Sequence, residues 1–267
     1  MDVGPDTSAQ QPYTAERSQD GAKGTERAMT TDSYNQSLAK LREMEESWEF
    51  CRRILSALTL AYRPLSLAEL GVLSGLPQDI QTSHIVTLCG SLLTIQDDLV
   101  DIDLSTKDYL SSKARDDILP SDLTDIHRTM FLQSMKAMSS TLQQNMYNLH
   151  HPGVSVNGDM VLVPEPDPLA AVRYSCAYWI SHFCDAYESD ACAKPQIDPD
   201  DGKLVDDFLR STMLYWLEAL SIIQEPASAL PSMQRLELLI QVSSIYFSIL
   251  YYSVADKYRK NHRTLHC

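Results

Sequence analysis

Residues 48–110 carry the pattern that most constrains the fold: three helical segments followed by two short β-like runs around a turn. In the first segment, apolar residues recur every three or four positions, as on the buried face of an amphipathic helix. These residues are Phe50, Ile54, Leu55, Leu58 and Ala61. We place the N-cap of this helix at Ser47 and its end at Pro64, since proline has no backbone N–H to donate.

The next two helices and the turn complete the pattern. Ser66 is the predicted N-cap of the second helix, and Gly75 closes it. Asp79 is predicted to open the third helix, which runs to about Ser91. Residues 92–95 and 99–102 then flank a polar turn, which predicts a β-hairpin. Three helices and a two-stranded wing are the elements of a winged-helix domain, in that order.

The remainder of the chain predicts helices and tails. A helix is expected from Ser33, and further helices, divided by turn-forming residues, extend to about residue 255. The N-terminal segment has almost no aliphatic residues, so it cannot offset its chain entropy and should be disordered. The fold class is therefore mainly α: a winged helix, with its hairpin as the only sheet, followed by a helical bundle. The predicted divisions are a disordered tail (1–33), a winged-helix-like domain (34–115), a helical domain (116–255) and a basic tail (256–267).

The charge of the chain disfavours nucleic acid as a partner. Its net charge is −14, whereas nucleic-acid affinity rests on Lys and Arg that neutralise phosphates. A DNA-reading third helix would also present Arg, Lys, Asn or Gln to base edges. Here that helix offers Gln81, Thr82, Ser83 and His84, with no Lys or Arg. A winged-helix transcription regulator is thus the alternative that the sequence disfavours.

A membrane and an oxidising compartment are also disfavoured. Residues 242–254 form a nearly unbroken apolar run, but a membrane-spanning helix needs about 20 apolar residues. We therefore favour a buried C-terminal helix, or an atypical end of the chain, over a membrane anchor. The six cysteines contain no C-x-x-C pair, and no secretory signal follows Met1. These features predict reduced thiols and a cytoplasmic protein.

No motif in the sequence supports a chemical reaction. The chain contains neither G-x-S-x-G nor H-E-x-x-H. The pair His150-His151 lacks other ligands at zinc spacing, and so does the group His182, Cys184 and Cys192. We therefore predict that the protein is not an enzyme and has no catalytic, cofactor-binding or metal-binding residues.

Several short blocks between about residues 45 and 240 match one known arrangement. The first blocks read Phe-Cys-Arg-Arg-Ile-Leu and Tyr-Arg-Pro-Leu-Ser-Leu-Ala-Glu-Leu, at residues 50–55 and 62–70. Later blocks lie at residues 88–91, 107–110, 166–171, 174–176 and 215–220. These blocks resemble the segment that follows the NACHT nucleotide-binding domain in fungal NOD-like receptors of the STAND class.

The resemblance implies a function without catalysis. In that family the NACHT domain hydrolyses or exchanges a nucleotide, the winged helix locks the closed state, and the helical segment leads to ligand-sensing repeats. It implies a regulatory or scaffold module that acts through protein contacts in signalling or non-self recognition, with the NACHT domain of a related receptor as partner. The chain has no P-loop, G-x-x-x-x-G-K-[ST], and no repeat sensor, so we interpret it as a truncated member. A non-functional remnant is compatible with the same residues.

The residues after the wing depart from the family pattern. The family tends to have Val-His-Gln-Ser-Ala-Lys-Asp-Tyr-Leu there, and winged-helix histidines of related STAND proteins can contact the nucleotide. Asp103 and Leu104 occupy the corresponding positions in this chain. A carboxylate repels a diphosphate, so we expect this chain not to help hold ADP in that way.

Overall fold

The computed structural model describes residues 30–119, 122–149, 163–188, 196–224 and 226–242. The predictions for the segment before residue 30, His150-His151, Cys192 and residues 243–267 lie outside this part. The helices are α1 (Thr31–Glu43), α2 (Glu45–Leu60), α3 (Leu67–Leu73), α4 (Thr82–Cys89), α5 (Leu104–Ser112), α6 (Arg115–Ile118), α7 (Leu123–Thr141), α8 (Arg173–Tyr187), α9 (Pro199–Ser211), α10 (Met213–Ile222) and α11 (Pro226–Val242). The strands are β1 (Leu65–Ser66), β2 (Thr94–Gln96) and β3 (Leu99–Asp101), and a short 3-10 helix covers Gly90–Leu92.

The mainly α fold class and the hairpin are confirmed, but the sheet is larger than predicted. β2 and β3 are antiparallel and joined by Asp97 and Asp98, whose φ angles of 51° and 64° are those of a tight two-residue hairpin turn. β1 adds to the other side of β3, giving the order β1-β3-β2. The prediction that the hairpin forms the whole sheet was therefore wrong. β1 was missed because a two-residue strand is too short to show an alternating pattern in sequence.

The ends of several helices differ from prediction. Ser66 caps α3 as expected, in a capping box with Glu69. Ser47 is not an N-cap, because α2 already begins at Glu45, after Met44. Acidic residues in the first turn favour this earlier start. Asp79 does not open α4, which begins at Thr82 after a turn.

Two later helices are shorter than their apolar patterns suggest. α8 begins at Arg173, and the residues from Leu169 onward form turns instead of helix. The apolar pattern after Asp198 is divided at Thr212 into two helices, α9 and α10. Asp198 does cap α9, accepting a hydrogen bond from the N–H of Asp200.

Buried side chains form two hydrophobic clusters. The first is built mainly by α1–α6 and the sheet, and the second mainly by α7–α11. Two helices contribute to both, since Met130 and Tyr174 belong to the first cluster while Phe131 and Cys176 belong to the second. The clusters therefore meet along α7 and α8, while a domain boundary near residue 115 stays a prediction. No described helix is long and apolar enough to cross a membrane.

Candidate functional site

Polar side chains gather where the two hydrophobic clusters meet. They come from the loop before β1 and from α3, α7, α8 and α11, and we call this group the polar junction. Its members are Tyr62, Arg63, Glu69, His127, Tyr174, His182, Asp185 and Arg235. The junction is the candidate site, because groups that lose hydration on burial must find partners within the protein.

The Glu69 carboxylate organises one half of the polar junction. Its side chain is 3% exposed and pairs with Arg63, whose Nη2 lies 2.7 Å from Oε1. Oε2 accepts the backbone N–H of Ser66 at 2.9 Å, and Oε1 accepts that of Tyr174 at 2.9 Å. Ser66 precedes α3 and Tyr174 lies in the first turn of α8, so the carboxylate faces the positive ends of two helix dipoles. One side chain thereby fixes the starts of two helices.

Arg63 is held between this carboxylate and an aromatic face. Its guanidinium carbon lies 5.1 Å from the ring centroid of Tyr174, a cation–π distance. Burial lowers the pKa of Arg63, but the hydrogen bonds to Glu69, the charge of that carboxylate and the neighbouring tyrosines together raise the pKa above its ordinary value. The loop before β1 is therefore anchored on α8 by charge and by stacking.

A chain of hydrogen bonds forms the other half of the polar junction. The backbone N–H of Tyr62 donates to Tyr174 Oη at 3.1 Å, and Tyr174 Oη lies 2.8 Å from His182 Nε2. His182 Nδ1 lies 2.8 Å from His127 Nδ1. In the assignment that gives each of these protons an acceptor, the Tyr174 hydroxyl donates to Nε2 of His182, whose Nδ1–H donates to His127. Both imidazoles are then neutral.

Burial keeps these imidazoles neutral. Burial, together with a smaller effect of the neighbouring His127, lowers the pKa of His182 to about 3. Burial also lowers the pKa of His127, against the opposing effect of Asp185. A proton added to Nδ1 of His127 would face the Nδ1–H of His182, and a proton added to Nε2 of His182 would face the hydroxyl proton of Tyr174, so this hydrogen-bond arrangement favours the neutral forms.

Asp185 links the polar junction to α11. The Tyr62 hydroxyl donates to this carboxylate, and Arg235 Nη2 lies 2.5 Å from its Oδ1. Burial raises the pKa of Asp185, but hydrogen bonds from Tyr62 and Arg235 outweigh it and lower the pKa below its ordinary value. Arg235 also pairs with Glu188 at the end of α8. The junction thus joins the loop before β1 to both α8 and α11.

The chemistry of the polar junction is that of fixed contacts. Both ring nitrogens of His182 take part in hydrogen bonds, one with Tyr174 and one with His127, so neither is available as a zinc ligand. Cys184 is fully buried, and burial raises its pKa to about 12, which suppresses the reactive thiolate. Within the described ranges, no three His, Cys, Asp or Glu side chains group as metal ligands. The arrangement positions helices, and the prediction of no catalytic, cofactor or metal residue stays a prediction.

The polar junction unites blocks that are distant in sequence. Arg63 and Glu69 belong to the block at residues 62–70, and Tyr174 opens the block at 174–176, 105 positions from Glu69. Sequence reasoning singled out both blocks without predicting their contact. It did not predict the roles of His127, Asp185 and Arg235. The one sequence signal for this part of the junction was a histidine, His182, within an apolar helical run.

Two other predicted surfaces have clear positions. Gln81, which precedes α4, and Ser83 and His84 on α4 are exposed, as the sequence pattern predicted for these polar groups. Asp103 is the N-cap of α5, and its carboxylate accepts the N–H of Thr106 at 2.9 Å. Leu104, beside it, is 82% exposed. Asp103 therefore has a local structural role, and its effect on nucleotide binding stays a prediction.

One comparison relates the chain to a known protein. It is similar to the vegetative incompatibility protein HET-E-1 of Podospora anserina, with 35% identity over 225 residues. The match covers 78% of this chain and 16% of the relative, so the chain spans about a sixth of that protein's length. No protein-family model matches the chain, and no solved structure matches it. The similarity supports a relationship to fungal NOD-like receptors, as the sequence blocks predicted.

Proposed function

Because the chain is related to a segment of the vegetative incompatibility protein HET-E-1, we propose that it is a regulatory or scaffold module of a NACHT-type STAND receptor. It acts in the cytoplasm through protein contacts, in signalling or non-self recognition, and catalyses no reaction. The observation that carries this proposal is the contact of Glu69 with Arg63 and with the N–H of Tyr174. Two family-like blocks meet there through buried bonds that hold elements in place.

The arrangement of α2–α4 and the sheet supports a winged helix as the docking part. The order is α2, β1, α3, α4, β2 and β3, with β3 at the centre of the sheet. The exposed side of α4 is polar and carries no Lys or Arg, so it suits a protein surface better than a phosphate backbone. The proposed partner is the NACHT domain of a related receptor in its closed, ADP-bound state.

A pull-down of the full chain against a full-length NACHT relative, with and without ADP, tests the proposal. We expect retention with ADP and weaker retention without it. Leu104→Ser should weaken binding, because Leu104 directly follows the hairpin and its 82% exposed side chain can bury apolar surface against a partner. The matched control is Leu214→Ser, which alters a leucine that is 54% exposed on α10 and should bind as the parent chain does.

Two results would contradict this function. One is a chain with native circular dichroism that binds the relative in neither nucleotide state. The other is saturable nucleotide turnover by the purified chain, which would make it an enzyme.

A further inference from the structure

The sheet carries an exposed apolar surface with acidic residues beside it. Ile95 is 62% exposed, Leu99 is 39% exposed, and Leu104 follows close behind β3. β2 is an edge strand, and all of its residues are exposed. Edge strands with exposed apolar side chains are ready to receive another segment of chain. We call this surface the wing surface; it comprises Ile95, Asp97, Asp98, Leu99, Asp101 and Leu104.

The negative charge of the wing surface is not balanced locally. The sequence contains no Lys or Arg between Arg63 and Lys107, and Lys107 Nζ points back to the carbonyl of Ala61, at 3.4 Å. None of the ion pairs found among the described residues involves Asp97, Asp98 or Asp101. A complementary occupant therefore needs apolar side chains followed by several cations.

The C-terminal segment of this chain has that chemistry in that order. The apolar run at residues 242–254 is followed by a cluster that carries four cations and a single preceding acid, Asp256. The cations are Lys257, Arg259, Lys260 and Arg263. In a chain with a net charge of −14, this local excess of positive charge faces attraction from uncompensated carboxylates.

The segment starts close enough to reach the wing surface of its own chain. Arg235 on α11 contacts Asp185, which bonds to Tyr62. The carbonyl of the adjacent Ala61 accepts a hydrogen bond from Lys107 on α5, the helix that begins at Leu104. From Arg235 the helix has about 10 Å left to its end at Val242. The 15 residues from there to Lys257 can extend over about 50 Å.

We propose that residues 243–263 dock on the wing surface of the same chain. The apolar run lies against Ile95, Leu99 and Leu104, and the basic cluster lies beside the three aspartates. This goes beyond the proposed function, since it requires no other protein. Docking covers the surface reversibly and weakens as salt screens the charges.

Carbodiimide cross-linking of the full chain tests this docking, because the reagent joins a lysine amine to a carboxylate in contact with it. We expect peptides that link Lys257 or Lys260 to Asp97, Asp98 or Asp101, identified by mass spectrometry. The variant Ile95→Ser/Leu99→Ser/Leu104→Ser keeps these carboxylates but removes the apolar contact, so the yield should fall by about fivefold or more. These side chains are exposed, so the variant retains the core.

The matched control removes exposed leucines elsewhere. Leu214→Ser/Leu217→Ser/Leu238→Ser changes side chains that are 54%, 38% and 61% exposed on α10 and α11. Its cross-link yield should equal that of the parent chain. An equal loss in both variants, or no cross-link in the parent, overturns the proposal.

Mixing 14N- and 15N-labelled chains separates docking within a chain from docking between chains. Links confined to peptides of one label support docking within the chain, while mixed pairs overturn it in favour of a second copy. Neither result depends on binding to a NACHT partner, so this proposal and the proposed function can fail separately.

Discussion

At the scale of single residues, the polar junction depends on one carboxylate. Glu69 accepts hydrogen bonds from Arg63, from Ser66 and from Tyr174, and these donors lie on two distant parts of the chain. A carboxylate can accept all of these hydrogen bonds, because both of its oxygens accept and neither donates. No neutral side chain of the same size can do the same.

The variant Glu69→Gln tests this role. Its amide nitrogen would face donors, and Arg63 would lose its counter-charge. We therefore expect the free energy of unfolding to fall by about 2 kcal/mol. This loss is smaller than for a fully buried ion pair, because the Arg63 side chain is 30% exposed. Urea unfolding measures the change. Glu49→Gln is the matched control, since that acid pairs with Arg52 at a site where it is 45% exposed, and it should cost less than about 1 kcal/mol. Equal effects would refute a special role for Glu69.

The histidine pair predicts a pH dependence of stability. Above about pH 6.5 the imidazoles are neutral in both states and stability does not change through them. Below that pH the histidine of the unfolded chain binds a proton, whereas His182 in the folded chain stays neutral down to about pH 3. The unfolded state is therefore favoured, and stability falls with decreasing pH. The slope from His182 approaches about 1.4 kcal/mol per pH unit.

Urea unfolding at several pH values between 6.5 and 4.5 measures this slope. His182→Gln keeps a polar side chain that takes up no proton, so it should flatten the slope. His84→Gln, on the exposed side of α4, is the control and should leave the slope as it is. A slope that persists in His182→Gln would assign it to other groups.

At the scale of secondary-structure elements, the helix starts differ in how local their causes are. The Ser66 hydroxyl accepts a hydrogen bond from the N–H of Glu69, and the Glu69 carboxylate accepts one from the N–H of Ser66. The cap of α3 therefore lies within four consecutive residues. α2 has no side-chain cap, and it begins at Glu45 instead of at the serine that follows. A capping serine is recognisable in sequence, but which serine caps is decided by where the helix packs.

The two serines therefore predict different effects of substitution. Ser66→Ala removes a cap and should reduce the free energy of unfolding by about 1 kcal/mol. Ser47→Ala, within α2, should change it by less than about 0.5 kcal/mol, because alanine is a good helix former. Chemical denaturation of both variants measures the pair. A larger loss for Ser47→Ala would mean that Ser47 is the cap after all.

At the scale of the whole molecule, α7 and α8 bind the two hydrophobic clusters into one structure. Successive residues of α7, Met130 and Phe131, enter different clusters. On α8, Tyr174 enters the first cluster while Trp179 and Phe183 enter the second. Neither cluster can lose these helices without exposing the other. We therefore expect a single cooperative unfolding transition across both.

Tryptophan fluorescence tests this cooperativity. Trp48 packs against the first cluster, while Trp179 and Trp216 are buried in the second. In urea, the chain Trp48→Phe, which reports the second cluster alone, should give the same midpoint by fluorescence as by far-ultraviolet circular dichroism. In the variant Trp179→Phe/Trp216→Phe, fluorescence reports the first cluster, and its midpoint should equal the circular dichroism midpoint of the same variant. Separate midpoints within either chain would show that the clusters unfold independently.

Much of the fold could be predicted from the sequence, because its causes are local. The cap at Ser66, the turn at Asp97-Asp98 and the apolar periodicity of α2 each depend on neighbouring residues. Strand β1 could not be predicted, since its identity comes from pairing with β3, about 35 positions away. The start of α8 at Arg173 also escaped, because apolar turns and apolar helices have similar compositions.

The polar junction shows the same division most clearly. The sequence by itself determined a mainly α chain, the hairpin, and the blocks that contain Arg63, Glu69 and Tyr174. Only the tertiary structure decided that these blocks touch and that His127 pairs with His182. The reason is physical: helix and turn signals act over a few residues, whereas a buried polar group takes whichever partner the packing of distant helices brings within hydrogen-bond reach.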